Sequence, residues 1–122
     1  DKIGPILATK YIEEGTAKFA NVPNFEIAGK TGTADKVLDG IYSEGKVNTF
    51  ASIFPSSNPK YVFIVMLDTP KTSSSYIYNY RHKEGTQTGT PYNTAGWTSV
   101  EVAGKIIDKI GPILATKYME IN

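Results

Sequence analysis

The chain of 122 residues contains no cysteine and one histidine. Without thiols there is neither a disulfide framework nor a thiolate metal site. The lone histidine, His82, sits in a polar stretch and reads as a solvated surface residue, which leaves no ligand set for structural zinc. Charge of one sign is also lacking: 13 Lys and Arg oppose 12 Asp and Glu, mixed along the chain, for a net charge of +1. That balance gives no support to a nucleic-acid partner. No apolar run approaches the ~20 residues of a membrane-spanning helix. The first residues carry no signal-peptide pattern, so no anchor is expected within the chain. No cofactor and no metal are expected. The length fits one domain or part of one, burying roughly two thirds of its unfolded surface.

What the chain does have is concentrated in Ala28-Gly29-Lys30-Thr31-Gly32-Thr33-Ala34, directly after the strand-like Phe25-Glu26-Ile27. Two glycines allow close backbone approach, while one cation and two hydroxyls suit an anionic group. Gly29-Lys30-Thr31 matches the end of a phosphate loop, G-x-x-x-x-G-K-[ST], but Asn24 occupies the position of its first glycine. No helix start follows either, and a phosphate loop needs one. Lys30-Thr31-Gly32 also fits the K-T-G element of the penicillin-binding serine acyl-transferases, which lies on a strand. The triplet alone is weakly specific.

The remaining pattern predicts an α+β domain, with an antiparallel sheet of three main strands and N- and C-terminal helices packed on it. Pro5 suits the first turn of a helix that Ile6, Leu7, Lys10, Tyr11 and Glu14 continue and Gly15 ends. Strands are predicted over Phe25–Ala34, Val47–Phe54 and Tyr61–Leu67, with Asp35–Lys46 a polar loop. In the second strand Asn48, Phe50, Ser52 and Phe54 share one face, and Val47, Thr49, Ala51 and Ile53 the other. The unbroken apolar run of the third predicts burial on both faces. The short link Pro55–Pro59 makes these two strands an antiparallel hairpin. Thr69–Gly96 reads as a long loop, of a length that is usually functional or disordered. Thr98-x-x-Glu101 forms a capping box for a last helix. Its apolar stripe is Val100, Ala103, Ile106, Ile107, Ile110, Ile113 and Leu114, and Pro112 predicts a kink or break near Ile110-Gly111.

Taken together, residues from about Ile12 to Leu114 resemble the C-terminal part of a class B penicillin-binding protein, a septal peptidoglycan D,D-transpeptidase. The blocks that carry the resemblance are Glu14-Gly15-Thr16-Ala17, Val22-Pro23, Ala28 to Ala34, Thr49 to Pro55, Asn58-Pro59-Lys60-Tyr61, Met66-Leu67-Asp68-x-Pro70 and Thr94-Ala95-Gly96-Trp97. The resemblance implies serine acyl transfer on the peptidoglycan stem peptide, with β-lactams acylating the same serine. It implies that Lys30 holds the charge network of the site. Thr33 would bind the substrate carboxylate and give an oxyanion-hole N–H, and Thr31 and Gly32 would complete the strand edge on which substrate lies. It places the parent protein on the periplasmic side of the bacterial inner membrane.

The family order is S-x-x-K, S-x-N, K-T-G, and nothing upstream of Lys30 supplies the first two. Ser43-Glu44-Gly45-Lys46, Ser57-Asn58-Pro59-Lys60 and Ser56-Ser57-Asn58 imitate them downstream, in a glycine-containing loop and a proline turn where no helix presents the serine. The chain is therefore expected to be inactive alone and to require the missing N-terminal part of the transpeptidase domain as partner. Asp1–Tyr11 also recurs unchanged as Asp108–Tyr118. Identity at opposite ends is not a solenoid period. The whole, 1–122, reads as one partial transpeptidase domain: a duplicated helix segment, 1–11, on a C-terminal segment, 12–118. The alternative is a non-catalytic folding or interaction module, including a homodimer formed by exchange of a helix copy.

Overall fold

A computed structural model describes residues 15–71, 77–78, 87–88 and 93–121. The first copy of the repeat, the N-terminal helix expected there, and His82 lie outside the described residues. The elements are β1 (Ala28–Leu38), β2 (Ile41–Phe54), β3 (Tyr61–Asp68), β4 (Ile77–Tyr78), β5 (Gln87–Thr88) and α1 (Ser99–Ile121). A single 3-10 turn, Lys18–Ala20, precedes them. The main sheet is antiparallel in the order β1-β2-β3, so β2 is central; β4 and β5 form a separate small ladder. The expected three main strands and C-terminal helix are therefore present.

Several local expectations are corrected. The region predicted as a loop from Asp35 to Lys46 is a hairpin, in which β1 runs on to Leu38 and β2 begins at Ile41. Asp39-Gly40 closes it, with φ of 52° and 77°. Two successive positive φ values are what a two-residue turn needs to match strand twist, and Asp-Gly supplies them at low cost. Phe25–Ile27, predicted as strand, lie before β1. The predicted long loop after Thr69 contains β4 and β5, where tyrosine and threonine favour extended backbone.

The two faces of β2 divide as the alternation predicts: Asn48, Phe50, Ser52 and Phe54 are buried. Phe50, Phe54 and Val65 join Ile27, the 17–22 segment, and Val100, Ala103 and Ile107 of α1 in one core. That core lies on a single face of the sheet. β3 is consequently buried on one face only, against expectation, because Val62, Ile64 and Met66 point away from α1 and are exposed.

α1 opens at Ser99 as the capping pattern predicts, but its groups are used differently. The Thr98 hydroxyl donates to Thr94 C=O at 2.9 Å and accepts from Asn48 Nδ2 at 2.8 Å. Glu101 pairs with Lys105 at 3.0 Å. The helix runs unbroken past Pro112 rather than ending at Ile110-Gly111. Packing offsets the ~3 kcal/mol of an interior proline: Gly111 lies against the Phe25 ring, and Tyr61 Oη donates to Leu114 C=O at 3.3 Å. Gly104 brings the helix against the 3-10 turn, since a Cβ there would stand 2.1 Å from Phe19 C=O. Among the described residues no helix is long and apolar enough to cross a membrane.

Candidate functional site

Strand alternation decides where the motif's side chains go. Directly opposed residues in neighbouring strands share a face. Lys30 is opposite Ala51, which is opposite Ile64, so Lys30 belongs to the open face. Thr31 is opposite Phe50, and Thr33 opposite Asn48, on the face that α1 covers. The motif therefore splits, with its cation on one side of the sheet and its hydroxyls on the other.

Both hydroxyls are tied to neighbouring segments. Thr31 Oγ1 lies 3.3 Å from Thr16 Oγ1. Thr33 Oγ1 accepts from the backbone N–H of Ala95 at 2.9 Å. That accepted bond orients the Thr33 hydroxyl with its own proton directed away from Ala95. Behind it, buried Asn48 donates from Nδ2 to Asn93 Oδ1 at 3.0 Å as well as to Thr98, and its own Oδ1 finds no partner among the described residues. This polar group, unseen in the sequence beyond its place in the alternation, anchors the 93–98 turn to the sheet beneath Thr33.

Backbone direction adds a second property. Thr69 N–H donates to Lys46 C=O at 2.7 Å, which marks that pair as hydrogen-bonded. Counting in twos through the register, Val47, Thr49, Ala51 and Ile53 of β2 turn their backbone groups to β1, and so do their partners Ala34, Gly32, Lys30 and Ala28. The N–H and C=O groups of Gly29, Thr31 and Thr33 then point out from the outer edge of β1, which pairs with no further strand among the described residues. Lys30 Nζ reaches along this edge and donates to Thr31 C=O at 2.9 Å.

The two glycines of the motif serve different ends. A Cβ on Gly29 would stand 2.7 Å from Ala51 C=O and 2.8 Å from the Phe50 ring, so packing inside the protein fills that space. Gly32 is exposed, and among the described residues nothing lies within 4 Å of its Cβ position. Only Gly32 leaves room for something outside. A phosphate loop is ruled out by the backbone, because Gly29-Lys30-Thr31 sit inside a strand that continues to Leu38.

The serine lookalikes have other partners. Ser43 stands in β2 and its Oγ accepts from Gly45 N–H at 3.3 Å, while Lys46 is ion-paired with Asp35. Ser57 is in the turn after β2 and its Oγ donates to the Glu26 carboxylate at 2.5 Å. Neither opens a helix. Further along the sheet, Lys36 bonds Asp68 at 2.7 Å, and this bond, then that from Thr69, holds the Asp68 carboxyl below its ordinary value. Among the described residues no three His, Cys, Asp or Glu are grouped as metal ligands.

The sequence matches the penicillin-binding protein transpeptidase domain over residues 2–98. A probable peptidoglycan D,D-transpeptidase FtsI from Caulobacter vibrioides is 31% identical over 112 residues, which are 86% of this chain and 17% of that protein. Stage V sporulation protein D of Bacillus subtilis is 41% identical over 61 residues, 49% of this chain and 9% of that one. Among solved structures, the transpeptidase domain of the FtsI4 D,D-transpeptidase from Legionella pneumophila aligns with a TM-score of 0.59 at 22% identity. It covers 87% of this chain and 33% of that domain's chain, a likeness of fold. The chain thus spans less than a fifth of the curated relatives' length, up to 17%.

Proposed function

The chain belongs to the penicillin-binding protein transpeptidase family, and on that premise we propose that it is the K-T-G wall of a class B transpeptidase active site. The observation that carries this reading is the outer edge of β1, where Thr33 N–H, the Lys30 side chain and the exposed Gly32 lie within four residues. In this reading 12–118 form the C-terminal segment of one partial transpeptidase domain and 1–11 a duplicated helix segment.

The residues divide the chemistry as follows. A stem peptide lies along the outer edge of β1 as an added strand, passing over Gly32 and paired with the outward groups of Thr33. Thr33 N–H donates to the carbonyl oxygen as it gains charge on attack, a contribution of the oxyanion-hole kind worth ~3 kcal/mol. The Thr33 hydroxyl, oriented by Ala95, donates a hydrogen bond to the substrate carboxylate. The Lys30 ammonium supplies positive charge beside the attacking group. The nucleophilic serine and its S-x-x-K lysine come from the remaining part of the transpeptidase domain, so the chain alone turns over nothing. Acylation by a β-lactam would use the same edge and the same donor. The parent protein would act on septal peptidoglycan at the periplasmic side of the inner membrane.

The test is complementation. The nucleophile-bearing part of a relative's transpeptidase domain is mixed with this chain and a fluorescent penicillin. Labelling of the added part that needs this chain, and falls with Lys30→Ala, is the expected result. Labelling that ignores the chain would remove the proposal.

A further inference from the structure

Asn48 is fully buried on the face that α1 covers, and it stands opposite Thr33 in the β1–β2 ladder. Because the Thr33 backbone turns outward, the two form a non-hydrogen-bonded pair, the kind whose side chains stand closest. The direction of each bond around Asn48 is set by its neighbours. Pro70 C=O can only accept, so the Asn93 amide gives it Nδ2 at 3.1 Å and turns Oδ1 to Asn48. Thr94 C=O can only accept as well, so the Thr98 hydroxyl directs its proton there and offers Asn48 a lone pair. Both neighbours therefore require a donor, and Asn48 Nδ2 supplies both protons.

The far end of this chain of bonds is the Thr33 hydroxyl. The Thr94–Ala95 peptide is trans, so its C=O and N–H point in opposite directions. Its C=O is held by the Thr98 hydroxyl at 2.9 Å and by the N–H groups of Trp97 and Thr98 at 3.0 and 3.1 Å. Its N–H, directed the other way, meets Thr33 Oγ1 at 2.9 Å. Asn48 thus holds Thr98, Thr98 holds one side of a rigid peptide plane, and the other side holds Thr33. Packing does not call for an amide here. Phe50 and Phe54 occupy the same face, and Asn48 Oδ1 has no partner among the described residues. A buried acceptor left unmatched costs stability that an apolar side chain of the same branched outline would not. What the amide provides is geometry.

We propose that Asn48 is a positioning residue for acyl transfer. Through Thr98 and the Thr94–Ala95 peptide it sets the direction in which the Thr33 hydroxyl donates. The proposal rests on the transpeptidase reading, in which that hydroxyl donates to the substrate carboxylate.

The experiment has two readouts. In the intact, isotope-labelled chain, the amide proton resonance of Ala95 reports the bond to Thr33. Asn48→Leu keeps the branched shape and removes both donors; it is expected to shift that resonance upfield with the circular dichroism spectrum unchanged. Thr98→Val, at a half-buried position, cuts the same link outside the core and is expected to do likewise. Thr98→Ser keeps the hydroxyl and is expected to match the wild type. In the complemented assembly, acylation by a fluorescent penicillin is compared with acylation by its methyl ester, which lacks the carboxylate. Asn48→Leu and Thr98→Val are expected to slow the free acid about tenfold, the effect of one charge-assisted hydrogen bond, and the ester little. In a Thr33→Val background, Asn48→Leu should slow the acid no further, because both changes act through one hydroxyl. An unmoved Ala95 resonance in a folded Asn48→Leu or Thr98→Val chain would overturn the proposal. So would equal slowing of acid and ester, or an added loss on top of Thr33→Val, each the mark of a purely structural residue. A wild-type assembly that takes up neither probe would overturn the transpeptidase reading and this proposal with it, a failure told apart by its appearing before any substitution.

Discussion

Thr33 Oγ1 accepts a hydrogen bond from Ala95 N–H at 2.9 Å, across a separation of 62 residues. The contact joins the motif strand to the turn that opens α1, and it makes one hydroxyl both a structural acceptor and a candidate donor to substrate. Thr33→Val keeps the branched shape and removes the acceptor, leaving the N–H of fully buried Ala95 unpaired. Such a group costs about 1–3 kcal/mol. Denaturant unfolding should show that loss for Thr33→Val and little of it for Thr33→Ser.

The glycines of the motif should respond unequally. Gly29→Ala drives a methyl into Ala51 C=O and the Phe50 ring, the overpacking that costs about 1–3 kcal/mol. Gly32→Ala meets nothing among the described residues and should leave the midpoint of unfolding almost unchanged. In the complemented enzyme the order should reverse in function, because a methyl at Gly32 occupies the substrate's path. Thermal melts and penicillin labelling of the two variants separate these effects.

Gly40 has a φ of 77° in the hairpin turn. Gly40→Ala forces a side chain into a left-handed conformation and should destabilise by about 1 kcal/mol. Asp39→Asn, with similar tolerance of positive φ, should be nearly neutral in the same melts.

Asp68 is bonded by Lys36 and Thr69, so its folded carboxyl titrates below its unfolded value. A depressed carboxyl contributes stability above its unfolded value and loses it as pH falls through the folded one. Asp68→Asn should therefore lower stability at neutral pH and flatten the decline on the acid side of the ordinary carboxylate range. Unfolding midpoints measured from neutral to acid pH check the sign. The pair is exposed, so the effect should be small and weaken with salt.

The fold class was legible because the alternation around Phe50 and Phe54 and the stripe around Val100, Ala103 and Ile107 each point to one buried face. The 39–40 turn was legible too, yet the polar residues around it favoured a loop; Val37-Leu38 and Ile41-Tyr42 on either side of Asp-Gly were the signal. The exposure of Val62, Ile64 and Met66 was not legible. An apolar run records a strand's affinity for neighbours, and nothing in it says whether those neighbours are in the same segment. For the site, the residue types and their order were readable, but which face of the sheet Lys30 takes, and which Thr31 and Thr33 take, required the register. Asn48 gave no sign of its role, since its partners Asn93 and Thr98 lie 45 and 50 residues away.

The central claim is that this chain supplies the K-T-G strand and no nucleophile. Its most direct test is the intact mass of the folded chain after incubation with a large excess of a penicillin. The account predicts an unchanged mass, because Ser43 and Ser57 are committed to Gly45 and Glu26 and neither is presented by a helix. A stoichiometric adduct mapped to either serine would contradict it.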